Sequence, residues 1–345
     1  MKPFSAFTVS RPALLLFAFL IAGILSVVLP GCSLPGLKLP ADATDPLQEF
    51  VLEGSGPHKI ALVSVNGAIT DKPTRDFMSR NHPGMLDEFV AQLALAKEDP
   101  SIKALVLKVN SPGGTITASD IMYKELMDFK HQTGKPVVAA LMDVAASGGY
   151  YISLPADHIL AHPTTLTGSV GVIFVTPRVS GLMDKLGLDL KVRKSGKHKD
   201  MGSPFRDTTA EEDALFDAII DDMAGRFAGL VEKHRADQKP DMEKIKTARI
   251  FTADDALSAG LVDRIGYLED ALAQAKKMAG LPDNAAVVTY RRTYYPNDTI
   301  YNTLVTQYGA HSGALVNIDL LEGMPALKPG LYYLWWPGAG NSAQP

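Results

Sequence analysis

Short apolar runs alternate with amphipathic segments along this 345-residue chain, and this alternation limits the fold more than any other feature. Runs rich in aliphatic and β-branched residues predict buried strands over residues 59–65, 104–109 and 136–142. Apolar residues at helical spacing predict helices within 84–97 and over 117–131. Strands that alternate with helices pair in parallel. We therefore predict an α/β protein with a mostly parallel sheet and helices on its faces.

The second half of the chain continues this alternation before the pattern fades beyond about Tyr290. Short strands are predicted over 159–161 and 170–175, and a last helix near 268–278. The Thr-Thr-Ala-Glu stretch at 208–211 has the pattern of a capping box, which predicts the start of a long helix. No internal repeat is visible along the chain.

Composition limits the chemistry and the partners of the chain. It is 46% hydrophobic and 21% charged, which is ordinary for a globular domain, and we assign that domain to residues 58–290. The net charge of −4 gives no reason to expect a nucleic-acid partner. The single cysteine, Cys32, excludes a disulfide framework or a cysteine-based zinc site within one chain.

The N-terminus has the pattern of a targeting segment. Residues 13–29 form an almost unbroken apolar run, and Cys32 follows directly in Leu-Pro-Gly-Cys. This resembles a bacterial lipobox, in which Cys32 is lipidated and becomes the mature N-terminus. The alternative is an uncleaved signal anchor that keeps residues 1–31. Both alternatives tether the protein to a membrane with its body outside the cytoplasm, and we predict that residues 32–57 are the tether.

The tail over residues 291–345 contains Gly-Leu-Tyr-Tyr-Leu-Trp-Trp-Pro at 330–337, which holds both tryptophans of the chain. Two interpretations are open. This aromatic stretch packs on its own domain, or it contacts a neighbouring subunit because a short terminus has little surface of its own to bury against.

Two glycine-rich motifs follow predicted strand ends. Asn-Ser-Pro-Gly-Gly at 110–114 follows one strand, and Ser147, in Ala-Ala-Ser-Gly-Gly, follows the next. Sites in parallel sheets form beyond the carboxyl ends of strands, so we expect the two motifs to be neighbours in space. A serine at a strand-to-helix turn, a base, and free backbone N–H groups are what acyl transfer requires.

Ser147 needs a base within hydrogen-bond reach. His158 and His162 are the nearest histidines downstream, but their surroundings are typical of structural residues. Lys199 is the better candidate, although a lysine is normally protonated at neutral pH and has to be buried to serve. Taken singly, the motifs have ordinary explanations, a helix cap for Ser147 and a solvated basic loop for residues 191–199.

Four motifs in order decide between these readings: 110–114, Ala-Ser-Gly-Gly-Tyr-Tyr at 146–151, Thr-Gly-Ser-Val-Gly at 167–171, and Lys-Ser-Gly-x-x-Lys-Asp at 194–200. Together they resemble the signature of the bacterial signal peptide peptidase A family, serine peptidases of the Clp/crotonase fold. The resemblance covers about residues 59–281.

The resemblance implies a role for each site residue. Ser147 would be the nucleophile and Lys199 the general base, 52 positions apart (199 − 147). Ser169 would orient the Lys199 amine. The backbone N–H groups of Gly114 and Gly148 would form the oxyanion hole.

The resemblance also implies a single catalytic repeat, a homo-oligomeric ring whose neighbouring subunits complete each site, and no metal or cofactor. The implied substrates are remnant signal peptides or other unfolded apolar segments near the membrane. Two other classes stay open from the residues alone: a crotonase-like acyl-CoA enzyme, and a lipoprotein scaffold without catalysis.

Overall fold

The computed structural model describes residues 45–75, 81–302 and 330–337. The predicted targeting segment, Cys32 and the first half of the predicted tether lie outside these residues. The strands are β1 (Gln48–Glu53), β2 (Lys59–Asn66), β3 (Thr74–Arg75), β4 (Asn81–His82), β5 (Ile102–Ser111), β6 (Gly113–Thr115), β7 (Val137–Ala146), β8 (His158–Ala161), β9 (Leu166–Gly168), β10 (Ile173–Val175), β11 (Ile250–Thr252), β12 (Arg264–Ile265), β13 (Ala286–Arg291) and β14 (Gly330–Leu334).

Helices fill most of the intervals between these strands. They are α1 (Met85–Glu98), α2 (Ile116–Thr133), α3 (Gly148–Tyr151), α4 (Ser180–Leu186), α5 (Ala210–His234), α6 (Met242–Ile245), α7 (Ala253–Ser258) and α8 (Leu268–Met278), with a short 3-10 turn at Ala236–Gln238. In the part of the chain that is described, none of these helices has the length and apolar character to span a bilayer.

The main sheet is mostly parallel, as the sequence predicts. Its order is β1-β13-β2-β5-β7-β8-β12, and β9 pairs with the last residues of β7 while β11 pairs with β9. The central neighbours β13, β2, β5, β7, β8 and β12 all run parallel. Only the additions β1 and β11 pair antiparallel within the described part of this sheet. The predicted α/β fold with helices on a parallel sheet is confirmed.

The core has two layers because the central strands are buried on both faces. Along β5, Leu105 and Leu107 pack into one layer, whereas Ala104 and Val106 pack into the other. Successive side chains of a strand point to opposite faces, so both sets of positions have to be apolar. Helix α2 covers the first layer and α8 covers the second.

The predicted tether ends earlier than the sequence indicates. Strand β1 lies within residues 32–57, and it pairs antiparallel with β13 at the edge of the main sheet. Residues 48–53 therefore belong to the folded body. Their pairing partner is more than 230 positions away in the chain, so no local pattern marks β1 as a strand.

Several predicted boundaries also shift. The long helix α5 begins one residue later than predicted, because Thr209 and Glu212 form the capping box: the Glu212 N–H donates to the Thr209 hydroxyl at 3.3 Å. Glu212 also holds Arg206 in an ion pair of 2.6 Å, which fixes this register. Strand β7 extends to Ala146, and the strand predicted over 170–175 covers only its last three residues.

The aromatic stretch of the tail packs on its own chain. Strand β14 lies between β10 and β6 in a separate three-stranded sheet and pairs antiparallel with both. Tyr333 is completely buried and Leu334 is 6% exposed. Packing on its own domain, the first of the two interpretations, fits these residues within a single chain, because strand pairing supplies the surface that a short terminus lacks. A contact of the tail with a neighbouring subunit stays a prediction.

Candidate active site

Ser147 stands at a sharp turn between β7 and α3. Its φ of 52° and ψ of −116° place a residue other than glycine in a rarely occupied region, which costs about 1–3 kcal/mol. Two backbone hydrogen bonds hold this conformation: the Ser147 N–H donates to the Gly168 carbonyl at 2.7 Å, and the Tyr151 N–H donates to the Ser147 carbonyl at 2.9 Å. The surrounding strands therefore impose the strain.

The Ser147 hydroxyl is buried and lacks a hydrogen-bond partner among the described residues. The residue as a whole is 1% exposed. A buried hydroxyl without a partner is costly, and native proteins keep such groups mainly where function requires them. This pattern fits a nucleophile.

Strand β6 brings a second backbone segment against Gly148, the residue after Ser147. Gly113 has a φ of 99°, and a Cβ atom built on it would lie 2.6 Å from the Gly148 nitrogen. A Cβ atom on Gly114 would lie 1.9 Å from the Ile69 carbonyl oxygen. Only glycine fits at these two positions. Because Gly113 lies against Gly148, the 110–114 motif and the Ser147 motif are in contact. The amides of Gly114 and Gly148 lie on the two segments that meet there.

Ser169 lies at the same edge of the sheet as Ser147, at the carboxyl end of β9. Strand β9 pairs in parallel with β7, and Ala146 lies opposite Gly168. Ser147 and Ser169 are the next residues after this pair, so they lie side by side. Ser169 is 8% exposed, with a φ of 51°, and its N–H donates to the Arg249 carbonyl at 2.8 Å. The structure thus brings together Ser147, Gly148, Gly114 and Ser169.

Lys199 is positioned differently from the expectation that it is buried. It lies on the segment between α4 and α5, and its side chain is exposed. It forms no ion pair or side-chain hydrogen bond with another described residue. The described part of a single chain therefore does not supply the desolvation that a neutral lysine requires.

The neighbours of Lys199 are tied to the start of α5. Asp200 accepts from Lys194 at 2.6 Å and from Arg206 at 2.8 Å. Hydrogen bonds from Arg206 lower the pKa of the Glu212 carboxyl to about 2, so this network is ionised at neutral pH. His198 Nε2 lies 3.1 Å from a Glu211 carboxylate oxygen, which turns this side chain toward α5. Lys194, Lys197, His198 and Asp200 thus have charged partners, whereas Lys199 has none among the described residues.

Both histidines considered as bases lie far from Ser147. His158 pairs with Val138 in the sheet, nine residues before Ser147 along β7, which is about 30 Å at 3.3 Å per residue. His162 comes directly after the register pair Leu141–Ala161 and so lies level with Met142, five residues before Ser147, which is about 17 Å by the same measure. Its ring packs edge-on against Tyr267 at 5.0 Å. Neither is placed to take the Ser147 proton.

A buried lysine occurs elsewhere in the molecule. Burial lowers the pKa of Lys108 to about 8, and its Nζ donates to the carbonyl of Ile300 at 2.8 Å. Lys108 points to the face of β5 that Val106 occupies, opposite the layer that contains Tyr150 and Tyr151 of α3. It borders a cavity of about 270 Å³ at the carboxyl ends of β2, β5 and β7, and Ser147 does not line that cavity.

Sequence reasoning missed the aromatic pocket beside the site. Tyr151, four residues after Ser147, stacks on Tyr333 at 5.0 Å and meets Phe227 of α5 at 4.8 Å. The Tyr151 hydroxyl donates to Asp120 at 2.6 Å, and Arg226 pairs with the same carboxylate at 2.7 Å. The Tyr-Tyr pair at the end of the serine motif was the sequence signal for this pocket. The aromatic residues that Tyr151 contacts are distant in sequence, so the pocket could not be predicted from it.

Family models match two stretches of the chain. The model described as peptidase family S49 matches residues 130–282, and the Clp protease model matches residues 66–165. These stretches contain Ser147 and Lys199 in the first case and the 110–114 motif in the second. A solved chain of the 1510-N membrane-bound stomatin-specific protease is similar at TM-score 0.41 and 14% identity, over 72% of this chain and 96% of that one.

Named relatives agree with these matches. A protein of Enterococcus faecium named for signal peptide peptidase SppA is 39% identical over 255 residues, which cover 73% of this chain and 71% of the relative. Protease 4 of Salmonella typhi is 36% identical over 64% of this chain, and the match covers 35% of the relative. The chloroplastic serine protease SPPA of Arabidopsis thaliana is 30% identical over 81% of this chain and 42% of its own length.

The match to the Enterococcus faecium protein shows the family, because it is 39% identical and covers 71% of that protein. The relatives are named as peptidases or proteases, and the Arabidopsis protein as a serine protease. Family membership decides between the classes left open by the residues, in favour of the peptidase. The chain belongs to peptidase family S49, with the signal peptide peptidase A proteins, and is a serine peptidase.

Proposed function

We propose that this peptidase cleaves peptides with a Ser147–Lys199 dyad, and that its substrates are remnant signal peptides or other unfolded apolar segments. The observation that carries the proposal is the Ser147 turn: a strained, buried serine whose hydroxyl has no partner among the described residues, in contact with the glycine strand β6. In the first step the Ser147 oxygen attacks a peptide carbonyl, and neutral Lys199 takes its proton. The amides of Gly114 and Gly148 stabilise the oxyanion, and Ser169 orients the lysine amine.

A fluorophosphonate probe and an unfolded apolar peptide test this proposal together. We expect the probe to label Ser147, and we expect hydrolysis of the peptide to disappear in Ser147→Ala. Probe labelling at another serine, or hydrolysis at the wild-type rate by Ser147→Ala, would contradict the mechanism. Circular dichroism of the variant separates loss of chemistry from loss of fold.

The exposed position of Lys199 supports a second part of the proposal, in which a neighbouring copy of the chain completes each site. Apolar side chains close to Lys199 in sequence are exposed, with Leu188 57%, Leu190 49% and Val192 52% accessible. A second copy seated on these side chains would remove water from both the apolar residues and the lysine. Removing water favours the neutral amine that a base requires.

Light scattering and peptidase assays test this assembly. Leu188→Asp combined with Leu190→Asp should lower the molar mass in solution and the activity together. Leu257→Asp is a matched control, because Leu257 is 41% exposed on α7 and is not part of the Lys199 segment. A wild-type chain that is monomeric and fully active would exclude the proposed assembly.

We further propose that the protein is tethered to a bacterial membrane through its N-terminus, with the catalytic domain outside the cytoplasm. The support is the apolar run over 13–29 followed by Cys32. Labelled palmitate should enter the wild-type chain and be absent from Cys32→Ser. If the wild type takes up no label but stays in the membrane fraction, an uncleaved anchor replaces the lipid. One acyl chain binds only marginally, so stable attachment needs more than one.

A further inference from the structure

The cavity that Lys108 borders is separate from the proposed catalytic site. It lies at the carboxyl ends of β2, β5 and β7, where parallel sheets commonly bind ligands, and Ser147 does not line it. Its volume of about 270 Å³ is just below the range of about 300–1,000 Å³ that is usual for pockets of drug-sized molecules, so it suits a smaller ligand. The lining residues that matter for its chemistry are Ser64, Lys108, Asn110, Met142, Asp143 and Tyr301.

Lys108 supplies a buried positive charge that has no close counter-charge. Its side chain is 6% exposed, and its Nζ donates to the carbonyls of Ile300 at 2.8 Å and Asn302 at 3.1 Å. An ammonium has three donors, so one remains for another acceptor. No carboxylate of the described residues forms an ion pair with it, because Asp298 acts on it only from a distance and is paired with Arg291. Buried charges are normally paired, so this lysine lacks an anion.

Two neutral donors lie beside this amine. Ser64 is opposite Lys108 in the register of β2 and β5, is 4% exposed, and its hydroxyl has no hydrogen-bond partner among the described residues. Asn110 is two residues beyond Lys108 on the same face of β5. Its side-chain oxygen accepts from the Val144 N–H at 3.1 Å, and its amino group has no partner in the described part of the chain. Three donor groups that face one cavity and lack an acceptor suit a carboxylate, whose single charge matches the single lysine.

The open side of the cavity carries the opposite charge. Asp143 is exposed, and it forms no ion pair with any residue that the structure describes. Lys108 lies level with Ala140 in the sheet, and Asp143 comes three residues later on β7, which is about 10 Å at 3.3 Å per residue. Met142 and Tyr301 add apolar surface to the walls. The cavity therefore matches a small molecule with an inner carboxylate, an outer ammonium and an apolar side chain.

We infer that this cavity binds a free amino acid or dipeptide with an apolar side chain. Its carboxylate accepts from Lys108, Ser64 and Asn110, and its ammonium lies toward Asp143. Amino acid and dipeptide share these two terminal charges and differ only in length. The site does not depend on the proposed dyad, because none of these side chains belongs to it.

A series of small ligands tests the two charges without changing the cavity. Isothermal titration calorimetry would use the full-length Ser147→Ala chain in detergent, so that a dipeptide stays intact. We expect leucine or dileucine to bind at least about tenfold more tightly than leucinamide, which lacks the carboxylate and its charge-assisted hydrogen bonds. N-acetylleucine should bind up to about fivefold more weakly than leucine, since the Asp143 contact is exposed. Equal binding of leucine, dileucine and leucinamide, or no binding of leucine and dileucine, would overturn the inference.

Variants of the cavity locate the bound ligand. Lys108→Met keeps the length of the side chain but removes the charge, so it should weaken binding of the tighter ligand at least about tenfold. Lys135→Met is the matched control: Lys135 also donates to two carbonyls, those of Ala96 at 2.7 Å and Asp99 at 3.1 Å, and it does not line the cavity. Ser64→Ala removes one neutral donor and should weaken binding about fivefold, which tests the site even if Lys108→Met does not fold.

The outcomes separate this inference from the proposed function. If Lys108→Met and Ser64→Ala bind the ligand as tightly as Lys135→Met, the inference fails, whatever happens at Ser147. If binding weakens in Lys108→Met and Ser64→Ala while a fluorophosphonate probe does not label Ser147 in the wild type, the cavity site stands and the proposed nucleophile fails.

Discussion

At the scale of single residues, Ser147 combines two unfavourable features. Its backbone is strained and its buried hydroxyl has no hydrogen-bond partner among the described residues. Residues that carry such costs tend to cluster at functional sites, and the surrounding structure has to hold them in place. Here the holding groups are the Gly168 carbonyl and the Tyr151 N–H.

This combination predicts that activity and stability respond in opposite directions at Ser147. Ser147→Ala removes an unpaired buried hydroxyl, so the free energy of unfolding should stay within about 0.5 kcal/mol of the wild type or rise. Ser147→Gly should be more stable still, because glycine adopts positive φ without strain. Urea denaturation measures both variants. A marked loss of stability in Ser147→Ala would show that the hydroxyl has a structural partner.

Lys199 gives the second prediction at this scale. Lys199→Arg should lose nearly as much activity as Lys199→Ala, because arginine remains charged and cannot take a proton. His198→Ala should keep most of the activity, since His198 is turned toward Glu211. Peptide hydrolysis by the three variants measures this. If Lys199→Arg retained activity, the lysine would act through its charge, and its role as a base would be wrong.

At the scale of elements, β6 carries the glycines of the proposed oxyanion motif. This three-residue strand pairs with β14, and its Gly114 forms a bridge with Ile69. The Ile69 N–H donates to the Gly113 carbonyl at 2.9 Å, and the Thr115 N–H donates to the Ile69 carbonyl at 3.0 Å. The strand is therefore fixed from both edges, and its glycines allow the close approach.

A single added methyl group should displace this element. In Gly114→Ala the new Cβ would lie 1.9 Å from the Ile69 carbonyl oxygen, so β6 has to move. We expect a loss of about 1–3 kcal/mol in the free energy of unfolding, and a large loss of kcat. Gly229→Ala is the control, because Gly229 is exposed on α5 and nothing lies within 4 Å of its added methyl group. Equal activity in the two variants would show that the position of β6 does not matter for catalysis.

At the scale of the whole molecule, a buried ion pair ties the end of α5 to the main sheet. Arg235 donates to Asp263 at 2.7 Å, and these side chains are 3% and 9% exposed. Asp263 also accepts from the Ile159 N–H of β8 at 2.7 Å. Burial alone would raise the pKa of the Asp263 carboxyl, but hydrogen bonds from Arg235 more than offset it and hold the pKa below its usual range.

The depressed pKa predicts how stability depends on acid. The stabilising contribution of Asp263 is complete above its unfolded pKa of about 3.9 and is lost as the pH falls through the lower folded value. Asp263→Asn should lower the free energy of unfolding by about 3 kcal/mol at neutral pH, because it leaves Arg235 buried without its counter-charge. It should also flatten the loss of stability below pH about 4.

Asp241→Asn provides the comparison for this prediction. Its ion pair with Lys244 is exposed, and asparagine caps a helix about as well as aspartate, so the cost should stay below about 1 kcal/mol. Guanidinium unfolding at several pH values measures both variants. If Asp263→Asn cost no more than Asp241→Asn, the pair would not hold α5 to the sheet.

Much of the site could be predicted from the sequence because its residues lie in short motifs at strand ends. The apolar runs at β2, β5 and β7 predict a parallel sheet. Because the carboxyl ends of parallel strands lie at one edge of the sheet, residues 110–114 are expected near Ser147. The periodicity of apolar residues depends only on residues a few positions apart, so it can be recognised in the sequence before the fold is known. The order of the motifs led to the family, and the resemblance to that family implied Ser169.

Only the tertiary structure decided the features that depend on distant partners. β1 pairs with β13, and β14 pairs with β6. In each pair the two strands are more than 200 positions apart in the chain. Nothing local in Gly-Leu-Tyr-Tyr-Leu predicts a strand that pairs with β6. The exposure of Lys199 was likewise hidden, because burial depends on what packs over a segment. The sequence by itself determined the central strands, the motifs and their order; long-range pairing determined the edge strands and which surfaces meet.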